Sequence, residues 1–274
     1  MAGDGGELRW QSWVVLAAAL PWCAIVTLRY ATASWTRATQ TALLISVALA
    51  FLVWLARAAT PPAAVTGGLF TAVLTLAPQP GDPYRSGLPS LLALFLLTWG
   101  ATRFGRSRKQ ELGVAEDKRG RNAAQVAANL GVSGLGAAAA LTFPRSMFAV
   151  IVVAALAEAT ADTLASELGE VLGGPPLMVT SLRRVSAGTD GAISLVGTLA
   201  GIGGAVLLVL VAMLTLRLNG AEAVCAVLGA IAGFFVDSLL GATVERRGWI
   251  NNDAVNFLST LAAALVAILL WALR

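Results

Sequence analysis

The chain has 274 residues, of which 57 % are apolar and only 12 % are charged, and it carries a formal net charge of +4. Soluble domains usually carry a charged fraction of roughly 25 %, so the composition excludes an ordinary soluble domain and predicts helices whose outer faces contact lipid. Histidine is absent, which excludes His-based triads, His–zinc sites and imidazole proton shuttles. The positive charges lie in short loops, without a basic tail or an aromatic-interleaved basic stretch, so we expect no nucleic acid among the partners.

Long apolar runs recur along the whole chain, and each is a candidate membrane span of roughly 20 residues. The runs cover residues 10–28, 40–57, 62–78, 88–102, 123–143, 146–169, 192–216, 222–244 and 254–273. The third and fourth are short, and Pro61 and Pro62 begin the third. The predicted fold is therefore an all-α, polytopic transmembrane helical bundle of about nine spans, within a range of seven to nine. Cys23 and Cys225 fall inside apolar runs, where they are expected to pack as small apolar side chains.

The first run has one alternative, a cleaved signal peptide, for which Ala31-Thr32-Ala33 is a weak match to a cleavage site. Asp4 and Glu7 precede the run, and the positively charged segment that begins a signal peptide is missing. We therefore interpret the run as a membrane span.

The distribution of Lys and Arg predicts the orientation. With nine spans, the N-terminal tail and the even-numbered connections carry thirteen of the nineteen Lys and Arg residues, and the connection at 103–122 has the largest share. Positive charge is retained on the cytoplasmic side. The sequence thus predicts a multi-pass integral membrane protein with a cytoplasmic N-terminus and an external C-terminus, in the plasma membrane if the source is prokaryotic.

We expect a single integral-membrane domain over residues 1–274. Residues 1–59 carry few charges and are predicted to form N-terminal scaffold helices, whereas the polar motifs gather within 119–256. The pairs Gly197/Gly201 and Gly229/Gly233 have the spacing that allows two helices to approach closely.

The first polar motif begins the fifth predicted span, after Arg121. Gln125 and Asn129 are four residues apart and share one helix face. Hydrogen bonding between helices and participation in a site are both open for this amide pair.

Carboxylates mark the end of the sixth predicted span, at Glu158, Asp162, Glu167 and Glu170. Each charge buried in a membrane costs a few kcal/mol, so such residues are usually functional. In a chain without histidine, clustered carboxylates favour a hard cation such as Mg²⁺. Ion pairing to nearby arginines is the alternative.

The loop at 180–191 combines glycines and hydroxyls with Arg183 and Arg184. Backbone amides freed by glycine, with arginine beside them, suit a phosphate group. The chain has no GxxxxGK[ST] sequence, so this is not a P-loop. An ordinary positively charged cytoplasmic loop is the alternative.

The fourth polar motif spans the last connection. Asp237 lies inside the eighth predicted span, and Asn252, Asp253 and Asn256 begin the ninth. Helix capping accounts for Asn251 and Asn252, but it does not account for Asp237.

With nine spans, the connections that carry these motifs all face the cytoplasm, so the motifs are expected to converge at one membrane boundary. Such a place favours a site that takes a soluble nucleotide from the cytoplasm and a lipid-borne acceptor from the bilayer. A transport pathway is less favoured, because no matching polar cluster occurs on the other side.

Four ordered motifs carry a resemblance to a known family. They are ADTLASELG at 161–169, RVSAGTDGAISLVGT at 184–198, DSLLGAT at 237–243 and WINNDAVN at 249–256. Over about residues 60–274 the chain resembles the integral-membrane family of plant phytyl-phosphate kinase and transmembrane protein 19, known as domain of unknown function 92. Family members commonly have Lys where this chain has Arg183-Arg184, and the two side chains bind phosphate with different geometry.

The resemblance implies a kinase that transfers a phosphoryl group from a nucleoside triphosphate, often CTP, to a prenyl monophosphate such as phytyl or geranylgeranyl phosphate. The expected partners are that nucleotide, the prenyl-phosphate lipid and the bilayer, and a homo-oligomer is left open. We expect the catalytic and Mg²⁺-binding residues to be Asp162, Glu167, Asp237 and Asp253. We expect the nucleotide phosphates to be bound by Arg183, Arg184, Gly188 and Thr189 and oriented by Asn129, Asn252 and Asn256.

Three other functions fit parts of this pattern. Ion-coupled transporters and lipid flippases also contain intramembrane carboxylates. A related membrane cytidylyltransferase would release pyrophosphate instead of a nucleoside diphosphate. A non-catalytic scaffold is disfavoured because of the cost of burying so many charges.

Overall fold

The structure is a computed structural model that describes residues 8–33, 35–77, 85–114, 120–143 and 146–274. Its helices are α1 (Trp10–Ala33), α2 (Arg37–Leu55), α3 (Pro61–Leu76), α4 (Leu88–Arg103), α5 (Arg106–Leu112), α6 (Ala123–Thr142), α7 (Ser146–Leu172), α8 (Leu195–Leu216), α9 (Gly220–Leu240) and α10 (Asn252–Ala272). A π-helical turn (Gly241–Glu245) extends α9. Between α7 and α8, the two-residue strands β1 (Leu177–Met178) and β2 (Ala192–Ile193) pair antiparallel.

Each of the nine predicted apolar runs overlaps a helix, so the prediction of an all-α membrane bundle is confirmed. Within the described residues, seven helices are long and apolar enough to cross a bilayer, namely α1, α2, α6, α7, α8, α9 and α10. The consecutive helices α4 and α5 are bent by 61° and add an eighth span if they are taken together, whereas α3 has only 16 residues. Leu44 on α2 and Leu214 on α8 are 71 % and 85 % exposed, as expected for side chains that face lipid.

Helix α7 is the centre of the bundle. It packs against α4, α6, α8, α9 and α10, and every residue from 149 to 161 is buried. Glycines allow the close approach of α8 to α7 and of α9 to α10. A Cβ atom at Gly201 would lie 2.7 Å from the carbonyl oxygen of Ala161, and one at Gly229 would lie 2.5 Å from that of Ala263. The predicted role of these small residues in packing is therefore confirmed.

Contacts between the connections sort them between two ends of the bundle. At one end, Arg121 before α6 exchanges backbone hydrogen bonds of 3.0 Å with Ala58 and Thr60, which connect α2 to α3. The loop before α8 reaches the end of α9 there, where Gly191 contacts Ala242. We call this the polar end. It comprises the start of α1 and the connections α2–α3, α5–α6, α7–α8 and α9–α10.

At the opposite end, the Tyr30 hydroxyl of α1 donates a 3.2 Å hydrogen bond to the carbonyl oxygen of Leu141 on α6. Arg274 there donates to the Glu222 carboxylate at 2.9 Å, which joins the last residue to the start of α9. The four polar motifs consequently share one end of the fold, as their sequence positions predicted.

Candidate functional site

The polar end contains a cavity of about 280 Å³ between the end of α7, the loop that follows it, the start of α8 and the end of α9. The lining residues are Asp162, Ala165, Ser166, Gly169, Glu170, Gly174, Pro176, Ala187, Gly188, Thr189, Asp190, Gly191, Ala192, Ile193, Ser194, Gly197, Thr198, Phe234, Asp237, Ser238, Gly241, Glu245 and Asn252. Of the four polar motifs, the second, third and fourth therefore meet around one space, whereas the first does not contribute to these lining residues.

Carboxylates from α7 and α9 face each other across this cavity. Asp162 and Asp237 both line it, and they lie within Coulombic range of each other. Arg121, at the end of the connection that leads into α6, is within Coulombic range of Asp162. A site with two acidic side chains and a nearby guanidinium can bind a cation together with an anionic group.

Glu245 is a further lining carboxylate that sequence reasoning missed. It lies just after the eighth apolar run, which ends at residue 244, and immediately before Arg246 and Arg247, so the sequence alone gives it the character of a loop residue. The π-helical turn over Gly241–Glu245 instead continues the helix and keeps Glu245 at the cavity. Irregular π turns of this kind are frequent at functional sites, but their position is not encoded in the hydrophobic periodicity.

Glu158 lies one helical turn below Asp162 and is only 1 % exposed. Its Oε1 atom and the Oδ2 atom of Asp237 are buried without a hydrogen-bond partner among the described residues. Ser259 on α10 places its hydroxyl beside both carboxyl groups. Unsatisfied buried oxygens are costly, so this part of the bundle retains unused capacity to bind a proton or a cation.

Glu167, a predicted metal ligand, is engaged by protein groups. It forms an ion pair with Lys109 of α5, and its Oε1 atom accepts a 2.7 Å hydrogen bond from Thr102. Lys109 is 2 % exposed and also donates to the carbonyl oxygen of Ala101 at 2.8 Å. Glu167 is not among the residues that line the cavity. Nothing in the sequence distinguishes Lys109 from the other basic residues of its loop.

Asp253 likewise has a protein partner. Its Oδ2 atom accepts a 2.6 Å hydrogen bond from Ser12 at the start of α1. The neighbouring Asn251 caps α10, since its Oδ1 atom accepts a 3.1 Å hydrogen bond from the Ala254 amide. Asn252, between the two, is the one residue of this motif that lines the cavity. Capping therefore accounts for Asn251 but not for Asn252.

The loop between α7 and α8 lies over the cavity as a short hairpin. Gly188 and Gly191 have φ angles of 75° and 73°, which favour glycine because a Cβ atom is strained there. Of the residues predicted to bind phosphate, Gly188 and Thr189 line the cavity, whereas Arg183 and Arg184 are exposed on the loop and are not among its lining residues. Ser194 ends the loop and caps α8, accepting a 3.0 Å hydrogen bond from the Gly197 amide.

The two remaining predicted residues are placed away from the lining. Asn129 donates a 2.9 Å hydrogen bond to the carbonyl oxygen of Gln125, within its own helix. The Gln125 side chain is itself engaged in a capping box with Asn122 at the start of α6. The carbonyl oxygen of Asn256 accepts hydrogen bonds from Ser259 and Thr260, each at 3.0 Å.

Among the residues that the structure describes, no group of three acidic or cysteine side chains is close enough to hold a metal ion by itself. The cavity instead offers pairs of carboxylates and the unsatisfied oxygen of Asp237. This donor set fits a Mg²⁺ ion that arrives with phosphate ligands, because Mg²⁺ is commonly held by one or two carboxylates plus the oxygens of a substrate.

The fold and this cavity define a polytopic integral membrane protein with an acidic site at one end of its helices. The family model described as "Integral membrane protein DUF92" matches residues 44–264, and the chain belongs to this family. The resemblance found in the sequence motifs is thereby confirmed.

Three relatives illustrate the family. The uncharacterized membrane protein MJ0933 of Methanocaldococcus jannaschii is 35 % identical over 181 residues, which are 66 % of this chain and 74 % of the relative. The uncharacterized membrane protein sll0875 of Synechocystis is 28 % identical over 183 residues, 65 % of this chain and 71 % of the relative. Protein VTE6, chloroplastic, of Arabidopsis thaliana is 30 % identical over 198 residues, 68 % of this chain but only 58 % of the relative. No solved structure matches the chain.

Proposed function

We propose that this protein is a membrane prenyl-phosphate kinase. It transfers the terminal phosphoryl group of a nucleoside triphosphate, with CTP favoured, to a prenyl monophosphate such as phytyl or geranylgeranyl phosphate. The observation that carries the proposal is the cavity in which Asp162 and Asp237 face the Gly188–Thr189 loop at the end of the bundle. Membership of the family whose motifs resemble plant phytyl-phosphate kinase supports it.

The nucleotide enters from the polar end, which we assign to the cytoplasm. The loop around Gly188 binds its phosphates, because left-handed glycines of this kind occur in loops that present backbone amides to an anion. Arg183 and Arg184 are exposed on the same loop, so they attract the anion at the mouth of the cavity. Asn252 orients the phosphates from the opposite wall.

Asp162, Asp237 and Glu245, which all line the cavity, would hold Mg²⁺. When bound, the ion neutralises the phosphate charge that grows on the leaving nucleotide. Glu167 and Asp253 already have partners in Lys109 and Ser12, so we assign them to positioning and not to direct metal ligation.

The chemical step needs no strong base. A phosphate oxygen of the acceptor is already ionised at neutral pH, and it forms the new bond to the γ-phosphorus. The bond from the γ-phosphorus to the β–γ bridging oxygen breaks, its electron pair leaves with the nucleoside diphosphate, and the prenyl diphosphate remains. Protein residues contribute in-line positioning and charge stabilisation, which is consistent with the absence of histidine.

Purified protein in detergent tests the proposal with Mg²⁺, labelled CTP or ATP, and a panel of phytyl, geranylgeranyl and farnesyl monophosphates. We expect a labelled prenyl diphosphate from wild-type protein and none from Asp162→Asn, because the variant removes a lining carboxylate. Glu111→Gln is the matched control, since Glu111 pairs with Arg108 at the exposed surface of α5. If Asp162→Asn kept near-normal turnover, the metal assignment would be wrong.

The released nucleotide product separates the kinase from its relatives. A nucleoside diphosphate supports phosphoryl transfer to a monophosphate, whereas pyrophosphate with a cytidylyl lipid would show a cytidylyltransferase. If folded protein gives no product with any pair of substrates, uptake assays in vesicles then test transport.

A further inference from the structure

The start of α1 contacts the connection between α9 and α10 through two consecutive polar residues. Ser12 is 1 % exposed, donates a 2.6 Å hydrogen bond to the Asp253 carboxylate and accepts a 2.8 Å hydrogen bond from the Asn251 amide. Gln11 donates to the carbonyl oxygen of Trp249 at 3.3 Å. We call this set of three hydrogen bonds the α1–turn contact.

The turn that this contact holds in place connects two residues that line the cavity, Glu245 and Asn252. It begins directly after Glu245 in the π-helical turn, and it ends at Asn252, the first residue of α10. Both residues line the cavity. Asn251 and Asp253 flank Asn252 on either side, so the two partners of Ser12 fix the backbone that presents the Asn252 side chain.

Ser12 of α1 is also a buried hydrogen-bond donor to Asp253 of α10. A carboxylate that is 8 % exposed needs a donor, and a short hydrogen bond to an ionised acceptor is stronger than one between neutral groups. Loss of the Ser12 hydroxyl would leave Asp253 and the Asn251 amide each without this partner. The family model matches residues 44–264, so α1 lies outside the matched region.

We propose that Ser12 is a positioning residue for the nucleotide-binding wall of the cavity, acting through Asn251 and Asp253 on Asn252 and Glu245. The proposal rests on the proposed kinase function. It makes α1 part of the site, although the sequence suggested only a scaffold role for residues 1–59.

Steady-state kinetics of Ser12→Ala test the proposal. We expect the KM for the nucleotide to rise about tenfold, because one hydrogen bond to a charged group is lost, while the KM for the prenyl phosphate stays within twofold. Ser12→Thr retains a hydroxyl and should recover most of the affinity. Ser133→Ala is the matched control, since Ser133 is a buried helical serine whose hydroxyl donates to the carbonyl oxygen of Leu130 in its own helix.

A purely structural role would lower the amount of active protein and leave both KM values unchanged, and that result would overturn the proposal. Equal rises in the two KM values would also overturn it. If the wild-type protein makes no product, the kinase function fails on its own account. Thermal unfolding then tests the α1–turn contact by itself. The loss in Tm of the double variant Ser12→Ala/Asp253→Asn should be smaller than the sum of the two single losses. Additive losses would refute the coupling.

Discussion

The carboxylates of α7 have different partners although they occur within one short segment of sequence. Asp162 lines the cavity and has Arg121 within Coulombic range, Glu158 has an unsatisfied oxygen, and Glu167 pairs with Lys109. Only the last has a buried cationic partner in direct contact within the described chain. Three carboxylates of one helix therefore have three environments: Asp162 lines the cavity, Glu158 has a buried oxygen without a hydrogen-bond partner among the described residues, and Glu167 forms an ion pair.

Removing one member of the Lys109–Glu167 pair should destabilise the protein severely. Lys109→Met leaves the Glu167 carboxylate buried and unpaired, at a cost of about 3–5 kcal/mol in the free energy of unfolding. The double variant Lys109→Met/Glu167→Met replaces the pair by apolar side chains and should recover most of this loss. Thermal unfolding in detergent measures both effects, with Arg108→Met, at an exposed ion pair, as the control expected to change little.

Kinase activity of the same double variant separates the two roles considered for Glu167. Activity close to wild type would show that Glu167 acts through packing, whereas a folded but inactive double variant would return Glu167 to the metal site.

These residue partners mark the limit of what the sequence predicted. The positions of Asp162 and Asp237 in apolar helices indicated a candidate site, because buried charge is costly wherever it occurs, and both residues line the cavity. The partners of Glu167 and Asp253 were not predictable, because they depend on contacts with α5 and α1 across 58 and 241 residues of chain. A lysine among arginines and a serine in an apolar run give no local signal of such contacts.

At the scale of elements, the loop between α7 and α8 can pack closely against the π-helical turn because Gly191 has no side chain. Its φ angle is 73°, and a Cβ atom there would lie 2.2 Å from the backbone nitrogen of Ala242. Loop and turn together form the wall that carries Thr189 and Glu245. The separation of these two elements therefore sets the width of the cavity.

Gly191→Ala should reduce kcat/KM by more than tenfold, because the Cβ atom adds a clash to a backbone strain of about 1–2 kcal/mol. Gly113→Ala provides a matched control. Gly113 has the same φ angle of 73°, but no atom of the described residues lies within 4 Å of its added Cβ atom. Kinetics of the two variants at equal protein concentration give the comparison, and equal losses would show that strain alone is responsible.

The helices were predictable to a greater extent than their ends. Lipid requires each span to satisfy its own backbone hydrogen bonds and to present apolar side chains, so all nine apolar runs became helices. Short or irregular pieces were not predictable: the bend between α4 and α5, the small β1–β2 hairpin and the π-helical turn depend on tertiary packing.

For the whole molecule, the sorting of connections between two ends allows a direct test of orientation. We expect the polar end to face the cytoplasm, because thirteen of the nineteen Lys and Arg residues of the sequence fall in the N-terminal tail and the even-numbered connections of the nine-span prediction. In a background with Cys23→Ala and Cys225→Ala, a membrane-impermeant thiol reagent should label Leu273→Cys on intact cells. Glu111→Cys should be labelled only after permeabilisation, and the reverse pattern would invert the topology.

The central position of α7 also sets a condition on how the protein is made. Its residues 149–161 are buried by helices from both sides of the sequence, yet α8, α9 and α10 are synthesised after it. During biosynthesis the insertion machinery or the earlier helices must therefore shield Glu158 and Asp162 from lipid until α8, α9 and α10 have been inserted. A ribosome-bound chain that stops after α7 lacks the helices that complete the burial of these residues, so the packing of the central helix is completed late in translation.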